Sequence, residues 1–221
     1  MPWAESLING GSEATDKSQQ HHSNFETQFL AKSFEMVSAA GSLADTPTKT
    51  GKVMTDRPLI LLDIDGVCSP MCASHDLDDR WAPWSRVSCG WNKGWVSVPL
   101  ADALTSLSEC ADVWWCTGWE DEAIVYSREL GVPDWPYLPL LNDADQGMFK
   151  LSSVIAGVGD RPVWWFDDEH NAASHQWSAD RSAAGVPTVT LHIDDQLGLR
   201  SEDVAAAQHW ALQLQAGGYN S

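Results

Sequence analysis

Apolar and polar residues alternate from residue 58 onward in a pattern typical of an α/β protein. Four nearly continuous apolar runs have the length of strands: Leu59 to Leu62, Val113 to Cys116, Val163 to Phe166 and Val189 to Ile193. Uniformly apolar strands are typical of a parallel sheet that helices cover on both faces. The pattern therefore predicts an α/β fold of three layers, a Rossmann-like arrangement with a central parallel sheet.

The segments between these runs predict amphipathic helices. Apolar residues recur at helical spacing over 100–107, 151–158 and 204–214. Another helix is expected over 121–130, because Gly131 follows it and glycine commonly ends a helix. Strands and helices thus alternate, as they do in parallel sheets.

Two parts of the chain depart from this alternation. Residues 68–98 are rich in Trp, Ser, Gly and Asp, and they predict a flap with a hairpin that turns near Asn92-Lys93-Gly94. Residues 1–56 are rich in Ser, Gly, Thr, Gln and Asn and are expected to be a disordered extension. Met54 is an alternative start of the native protein. The folded domain is expected over 57–217.

Each of the first three predicted strands ends in residues suited to phosphate or metal binding. These residues are Asp63-Ile64-Asp65-Gly66, Thr117-Gly118 and Asp167-Asp168. Ligands of open α/β sheets bind beyond the carboxyl ends of the strands, so the three groups are expected in one crevice. Closely spaced carboxylates repel unless a cation lies with them, and Mg²⁺ prefers oxygen ligands and substrate phosphate. The strand ends therefore predict a magnesium site for phosphoryl transfer.

Phosphoryl transfer also requires positive charge and hydrogen-bond donors around the phosphoryl oxygens. Lys150 precedes the helix that leads into the third strand and is the expected cation, although a lone lysine is more often a surface residue. Thr117 offers a hydroxyl, and the amides of a helix N-terminus after Gly118 offer further donors. Thr117 could also serve only as a helix cap. We expect these three residues to bind the substrate phosphate.

In this order, Asp63-Ile64-Asp65-Gly66-Val67, Thr117, Lys150 and Asp167-Asp168 resemble the four motifs of haloacid dehalogenase-like hydrolases. The resemblance covers about residues 58–215. Its details are similar to the small-cap branch linked with RNA-repair proteins, as in Trp115-Cys116-Thr117-Gly118-Trp119-Glu120. It implies phosphate chemistry, as in the phosphatases and phosphotransferases of the superfamily rather than its dehalogenases, because Asp65 occupies the second motif position.

The resemblance also implies roles for the site residues. Asp63 would be the nucleophile that forms an aspartyl-phosphate, and Asp65 the general acid and base. Mg²⁺ would be held by the Asp63 carboxylate, the backbone carbonyl of Asp65, and Asp167. Asp168 would support the metal, and which of Asp167 and Asp168 binds it directly stays open.

The charge and composition of the chain limit the kinds of molecule that it is expected to bind. The chain carries 31 Asp and Glu against 13 Lys and Arg, a formal net charge of -18, and such a surface repels nucleic acid and anionic lipid. A small phosphorylated substrate or a nucleotide is therefore expected. With no apolar run of about 18 residues and no signal peptide, we expect a soluble cytoplasmic protein that does not insert into membranes.

Two alternatives stay open at this point. One is a phosphatase that acts on nucleic-acid ends, and the other is a non-catalytic binding module with the same fold. Tryptophans of the flap could stack on a base, although packing of the hairpin is the first expectation: Trp81, Trp84, Trp91 and Trp95. His170 could reach a substrate or could be a surface residue.

Overall fold

The computed structural model describes residues 57–73, 77, 79–141 and 150–217. All of them fall within the unit Met54–Ser221. The expected N-terminal extension, residues 1–56, lies outside the described residues. Every helix among these residues is too short or too polar to span a lipid bilayer.

Four parallel strands form the central sheet. The strands found in the described residues are β1 Leu59–Leu62, β2 Trp84–Cys89, β3 Asn92–Ser97, β4 Asp112–Trp115, β5 Val163–Asp167 and β6 Thr188–His192. The sheet order is β4-β1-β5-β6, and every neighbouring pair is parallel. This confirms the predicted parallel sheet, with strand bounds shifted by no more than one residue at either end.

The strand β1 is uniformly apolar because both of its faces are covered. Ile60 and Leu62 belong to one hydrophobic cluster, and Leu59 and Leu61 belong to the other. All four side chains are fully buried. Hydrogen bonds to β4 on one side and to β5 on the other satisfy the strand's backbone. β1 is thus the centre of the core.

Helices cover both faces of the sheet, which confirms the predicted three layers. The helices are α1 Val98–Cys110, α2 Glu122–Leu130, α3 Leu151–Val158, α4 Ala172–Ala183 and α5 Ser201–Ala216. The helices α1 and α5 pack against each other and share one cluster with Ile60. The helix α3 contributes Leu151 and Val154 to the cluster on the other face.

The helix α4 was not predicted from the apolar pattern. Its buried residues are serines, Ser174 and Ser178, so it has no apolar stripe to detect. Its first turn is stabilised instead by a cap: the Asn171 side chain accepts hydrogen bonds from the amides of Ala173 and Ser174. Local hydrogen bonding rather than apolar burial begins this helix.

The hairpin of the flap consists of β2 and β3, which pair antiparallel from Trp84–Ser97 to Cys89–Asn92. The hairpin is confirmed, but its predicted turn is wrong. The turn lies at Gly90 and Trp91, two residues before the predicted position, where Gly90 adopts a φ of 61°. Gly94 lies within β3.

The chain leaves β1 and β5 toward opposite sides of the sheet. β1 leads to β4 on one side, whereas β5 leads to β6 on the other. Such a switch in direction opens a crevice at the carboxyl ends of the two strands, where ligands of open α/β sheets bind. Asp63 follows β1 directly, and Asp167 ends β5. The topology therefore brings these two residues to the crevice.

Candidate active site

Three carboxylates meet at the carboxyl ends of β1 and β5. The strands are in register there, and the amide of Asp63 donates a hydrogen bond of 3.2 Å to the carbonyl of Phe166. One oxygen of each of Asp63, Asp167 and Asp168 lies within 4.8 Å of the others. Asp63 and Asp167 are buried, and Asp168 is half-buried. The predicted acidic residues of two different strands are thus brought together.

Lys150 joins the two buried carboxylates. It immediately precedes α3, and its side chain is only 2% exposed. Its Nζ donates hydrogen bonds to Oδ2 of Asp63 and, at 2.9 Å, to Oδ2 of Asp167. Lys150 is therefore not a surface lysine, and its ammonium lies beside the expected nucleophile.

The pKa values of these groups reflect burial and their mutual attraction. Burial raises the pKa of Asp63 to about 7, although the Lys150 ammonium opposes this shift. Burial disfavours the charged form of Lys150, but Asp63 and Asp167 outweigh it and raise the pKa of Lys150 above its usual value. Burial, followed by repulsion from Asp167, also raises the pKa of Asp168. Burial thus disfavours the charged forms of Asp63 and Asp168.

The formal charges of the fully ionised site do not balance. When ionised, the three carboxylates contribute three negative charges and Lys150 one positive charge, which leaves two negative charges unbalanced. A buried excess of this kind is costly without a further cation. Carboxylate oxygens are also the ligands that Mg²⁺ prefers. The residues present therefore fit a divalent cation.

Thr117 reaches the same crevice from β4. The amide of Cys116 donates a hydrogen bond of 2.7 Å to the carbonyl of Leu62, which holds the end of β4 beside the end of β1. Thr117 is buried, and its hydroxyl forms a hydrogen bond with the Asp63 side chain that lowers the pKa of Asp63. Thr117 is consequently more than a helix cap.

Gly118 lies in an exposed turn next to Thr117. The helix predicted over 121–130 is confirmed as α2, which begins at Glu122, so its first amides do not directly follow Gly118. The residues between them form turns, in which Glu120 adopts a positive φ of 47°. Donors at this position would be turn amides rather than the first amides of a helix.

Asp65 is not part of the cluster of Asp63, Asp167 and Asp168. The residue is exposed, and its Oδ2 accepts a hydrogen bond of 2.7 Å from Nε1 of Trp119. Trp119 is itself buried, and its ring contacts Tyr126 edge-on at a centroid distance of 5.3 Å. A rigid indole therefore holds the Asp65 carboxylate at the mouth of the crevice.

Sequence reasoning missed this role of Trp119. The residue belongs to the Thr117-Gly118-Trp119-Glu120 segment, whose position at a strand end was the available signal. Its partner is Asp65, 54 positions earlier in the chain. Nothing in the local pattern indicates which of the 13 tryptophans reaches that carboxylate.

Gly66 allows the loop after β1 to approach Asp168 closely. Its φ is 68°, and a Cβ at this position would lie 2.6 Å from Cγ of Asp168. Any larger residue would therefore displace the Asp168 carboxylate or the loop. The Asp-x-Asp-Gly segment thus needs its glycine for two independent steric reasons.

The hairpin is attached to the rest of the domain beside Asp65. The amide of Trp95 donates a hydrogen bond of 2.9 Å to the Ser69 hydroxyl, and the Tyr126 hydroxyl donates one of 2.8 Å to the Trp95 carbonyl. Near the turn, the Asn92 side chain donates a hydrogen bond of 2.7 Å to Glu122. The hairpin is therefore held beside its turn and in the middle of β3.

The four flap tryptophans have different surroundings. Trp81 is buried and donates a hydrogen bond of 2.7 Å to the Leu199 carbonyl, and Trp84 packs against the core. Trp95 is partly buried and lies next to Arg86. Trp91, at the turn, is 96% exposed. The expected packing role thus holds for Trp81 and Trp84.

His170 is not a surface residue, and both of its ring nitrogens have partners within the protein. It is buried, with Nδ1 hydrogen-bonded to Ser174 and Nε2 to the carbonyl of Trp165, each at 3.1 Å. Burial lowers the pKa of His170 to about 4, so the ring is neutral near pH 7. Trp165 in turn donates a hydrogen bond of 3.1 Å from Nε1 to Oδ2 of Asp167. His170 therefore supports the ring that orients Asp167.

Comparison of the chain with protein-family models, curated proteins and solved structures finds no match.

Proposed function

We propose that this protein is a magnesium-dependent phosphohydrolase that cleaves a phosphomonoester through an aspartyl-phosphate on Asp63. The observation that supports the proposal is the buried group of Asp63, Lys150 and Asp167, with Asp168 beside it. An ion cluster of this kind is expensive to bury, and apolar residues in its place would often give an equally stable fold. We therefore attribute the cluster to chemistry rather than to stability.

The three clustered carboxylates would hold the Mg²⁺, together with the backbone carbonyl of Asp65 in the arrangement that the family resemblance implies. When bound, the ion would neutralise charge on the phosphoryl oxygens and on the carboxylates. Lys150 and the Thr117 hydroxyl already lie beside Asp63 and would bind phosphoryl oxygens, with the amide at Gly118 as a further donor.

In the first step, a carboxylate oxygen of Asp63 attacks phosphorus, and the bond from phosphorus to the leaving oxygen breaks. Asp65, initially protonated, transfers its proton to that oxygen. Because Oδ2 of Asp65 accepts a hydrogen bond from Trp119, its Oδ1 is the oxygen suited to carry the proton. The products of this step are the free alcohol and the acyl phosphate on Asp63.

In the second step, Asp65 is ionised and removes a proton from a water molecule. The water oxygen attacks phosphorus, the bond between phosphorus and the Asp63 oxygen breaks, and inorganic phosphate leaves. Asp63 is restored as a carboxylate and Asp65 as an acid. The exposure of Asp65 suits its role in this step, because a water molecule can approach its carboxylate from solvent.

The proposal is tested by phosphate release from an aryl phosphate with and without Mg²⁺. We expect Mg²⁺-dependent release that EDTA stops and that Asp63→Asn abolishes. Asp160→Asn is the matched control. Asp160 is an exposed aspartate in the turn before β5, whereas the site lies at the carboxyl end of that strand. Phosphorylated wild-type protein should lose its phosphate to hydroxylamine, as acyl phosphates do. Undiminished release by Asp63→Asn would refute the covalent mechanism.

The alternative of a non-catalytic binding module leads to a different result. Neither the wild type nor Asp63→Asn would then release phosphate from any substrate, although Mg²⁺ would still raise the unfolding temperature of the wild type. If the folded protein with Mg²⁺ releases no phosphate from aryl phosphates, nucleotides or phosphorylated oligonucleotides, that alternative is favoured over the phosphohydrolase.

A further inference from the structure

A pocket with a volume of about 200 Å³ borders Asp65. The loop after β1 forms one wall with residues 69–72, and the hairpin forms the other wall with Arg86, Lys93 and Trp95. The hydrogen bond from Trp95 to Ser69 ties the two walls together. The pocket is therefore a fixed feature of the loop and the hairpin.

Strand pairing places the two cations on the same face of the hairpin. Arg86 lies opposite Trp95, and Ser88 lies opposite Lys93, so these four side chains share one face. The Arg86 guanidinium lies over the Trp95 ring at 4.8 Å from its centroid. This cation–π contact restricts Arg86, which is otherwise an exposed and flexible side chain.

The charge of this face is opposite to that of the protein. Residues 81–101 include Arg86 and Lys93 and no Asp or Glu, whereas the whole chain has a formal net charge of -18. Within the described residues, neither cation forms an ion pair with a carboxylate. Among the described residues that line the pocket, the two cations and the Asp65 carboxylate sum to a formal charge of +1. A net positive charge attracts an anion, and Arg is suited to a phosphate in particular.

We infer that this pocket binds a second phosphate, carried by the leaving group of the substrate. The inference rests on the proposed function, in which Asp65 protonates the leaving oxygen, because a pocket that borders Asp65 then lies on the leaving-group side. The substrate class is accordingly a small molecule with two phosphates, of which the one at Asp63 is removed and the other is bound by Arg86 and Lys93.

The size of the pocket favours a small carrier. Sites for drug-sized ligands typically have volumes of about 300–1,000 Å³, so a pocket of about 200 Å³ accommodates a phosphate and part of a sugar. A polynucleotide would bring many more phosphates toward a surface of high negative charge, which is unfavourable. Bisphosphorylated sugars and nucleosides satisfy both conditions.

The test compares kcat/KM for matched substrates that differ by one phosphate: glucose 6-phosphate with glucose 1,6-bisphosphate, and AMP with adenosine 3′,5′-bisphosphate. We expect the full-length wild type to prefer a bisphosphate by at least about tenfold, the value of one charged hydrogen bond. The double variant Arg86→Gln, Lys93→Gln should lose most of this preference. The control double variant Arg80→Gln, Arg128→Gln removes two exposed cations outside the pocket and should keep it.

The possible outcomes separate this inference from the proposed function. If the wild type hydrolyses an aryl phosphate but treats both members of each pair alike, the pocket assignment is overturned and the phosphohydrolase stands. The assignment is also overturned if the preference persists in the double variant. A 3′-phosphorylated oligonucleotide that reacts faster than the bisphosphates would refute the small carrier.

A binding measurement decides the case in which no substrate is turned over. Titration calorimetry of glucose 1,6-bisphosphate and glucose 6-phosphate into the Asp63→Asn protein with Mg²⁺ requires no catalysis. Tighter binding of the bisphosphate by about tenfold, lost when Arg86 and Lys93 are replaced, supports the pocket even if the phosphohydrolase fails. Equal binding of the two sugars overturns it.

Discussion

The hydrogen bond from Trp119 to Asp65 allows a specific test of the proposed role of Asp65 as general acid and base. Trp119→Phe removes the indole N–H that lies 2.7 Å from Oδ2 of Asp65, while a ring remains to pack against Tyr126. We expect kcat/KM for an alkyl phosphate to fall, because the Asp65 carboxyl would no longer be held in one orientation at the crevice mouth.

The size of the effect follows from the strength of the bond. Hydrogen bonds to charged groups contribute about 1.5–3 kcal/mol, which corresponds to roughly 10- to 150-fold in rate. Since Asp65 is exposed, water can replace part of the lost bond, so we expect a loss of about tenfold. Asp65→Asn sets the upper limit, at a loss of about 10²- to 10⁴-fold for general acid and base catalysis.

The assay compares kcat/KM for an alkyl phosphate and for 4-nitrophenyl phosphate. A nitrophenolate leaves without much help from an acid, so Trp119→Phe should slow the alkyl phosphate distinctly more. In the Asp65→Asn background, Trp119→Phe should add little, because the group it orients is already inactive. Trp91→Phe is the matched control, since Trp91 is 96% exposed and should be replaceable without effect.

Two results would refute this reasoning about Trp119. Equal losses on both phosphates would indicate a general structural defect rather than a defect in proton transfer. Fully additive losses of Trp119→Phe and Asp65→Asn would show that the two side chains act independently, despite their hydrogen bond.

Three further predictions concern the cluster and the loop after β1. Lys150→Met leaves two buried carboxylates, those of Asp63 and Asp167, without their cation. In EDTA, urea denaturation should show a free energy of unfolding that is lower by about 3–5 kcal/mol. A decrease of less than about 1 kcal/mol would contradict a buried ion pair. Gly66→Ala should destabilise the protein by more than Gly131→Ala, because both glycines have a positive φ but, of the two, only Gly66 would bring a new Cβ within 2.6 Å of a neighbour, Asp168. Mg²⁺-dependent activity should therefore fall in Gly66→Ala and not in Gly131→Ala. Similar effects of the two substitutions on stability and activity would argue against a steric role of Asp168. Saturating Mg²⁺ should stabilise the wild type against thermal unfolding, by about 2.7 kcal/mol at a hundred times Kd, and Asp167→Asn should lose most of this gain; an unchanged gain would place the ion elsewhere.

Most of the strands and helices could be predicted from the sequence, because a strand that is buried on both faces has a simple, uniformly apolar pattern. A strand that is covered on both faces, such as Leu59–Leu62, is apolar at every position, and this distinguishes it from an exposed loop. The helix α4 left no such mark, since serines face the core and an asparagine cap begins it. The hairpin turn was misplaced because Asn92 and Gly94 are typical turn residues. In the structure Cys89 pairs with Asn92, so the turn lies at Gly90, whose φ is 61°.

The candidate site was readable for a similar reason. Polar residues directly after buried strands must lie at the carboxyl edge of the sheet, whatever the order of the strands, so Asp63, Thr117 and Asp167 could be grouped in advance. Lys150 was predicted from its place before a helix. Its burial between two carboxylates was not predictable, because that depends on how α3 packs against the sheet.

By itself, then, the sequence determined the four strands of the parallel sheet, the helices with an apolar stripe, and the chemical groups at the strand ends. Each of these depends on the character of one segment and on a short distance along the chain. The tertiary structure alone decided that β1 lies between β4 and β5, that Trp119 reaches Asp65, and that Arg86 and Lys93 form a pocket beside it. These contacts join residues that are far apart in sequence, and they follow from packing among all the elements at once, which no local pattern encodes.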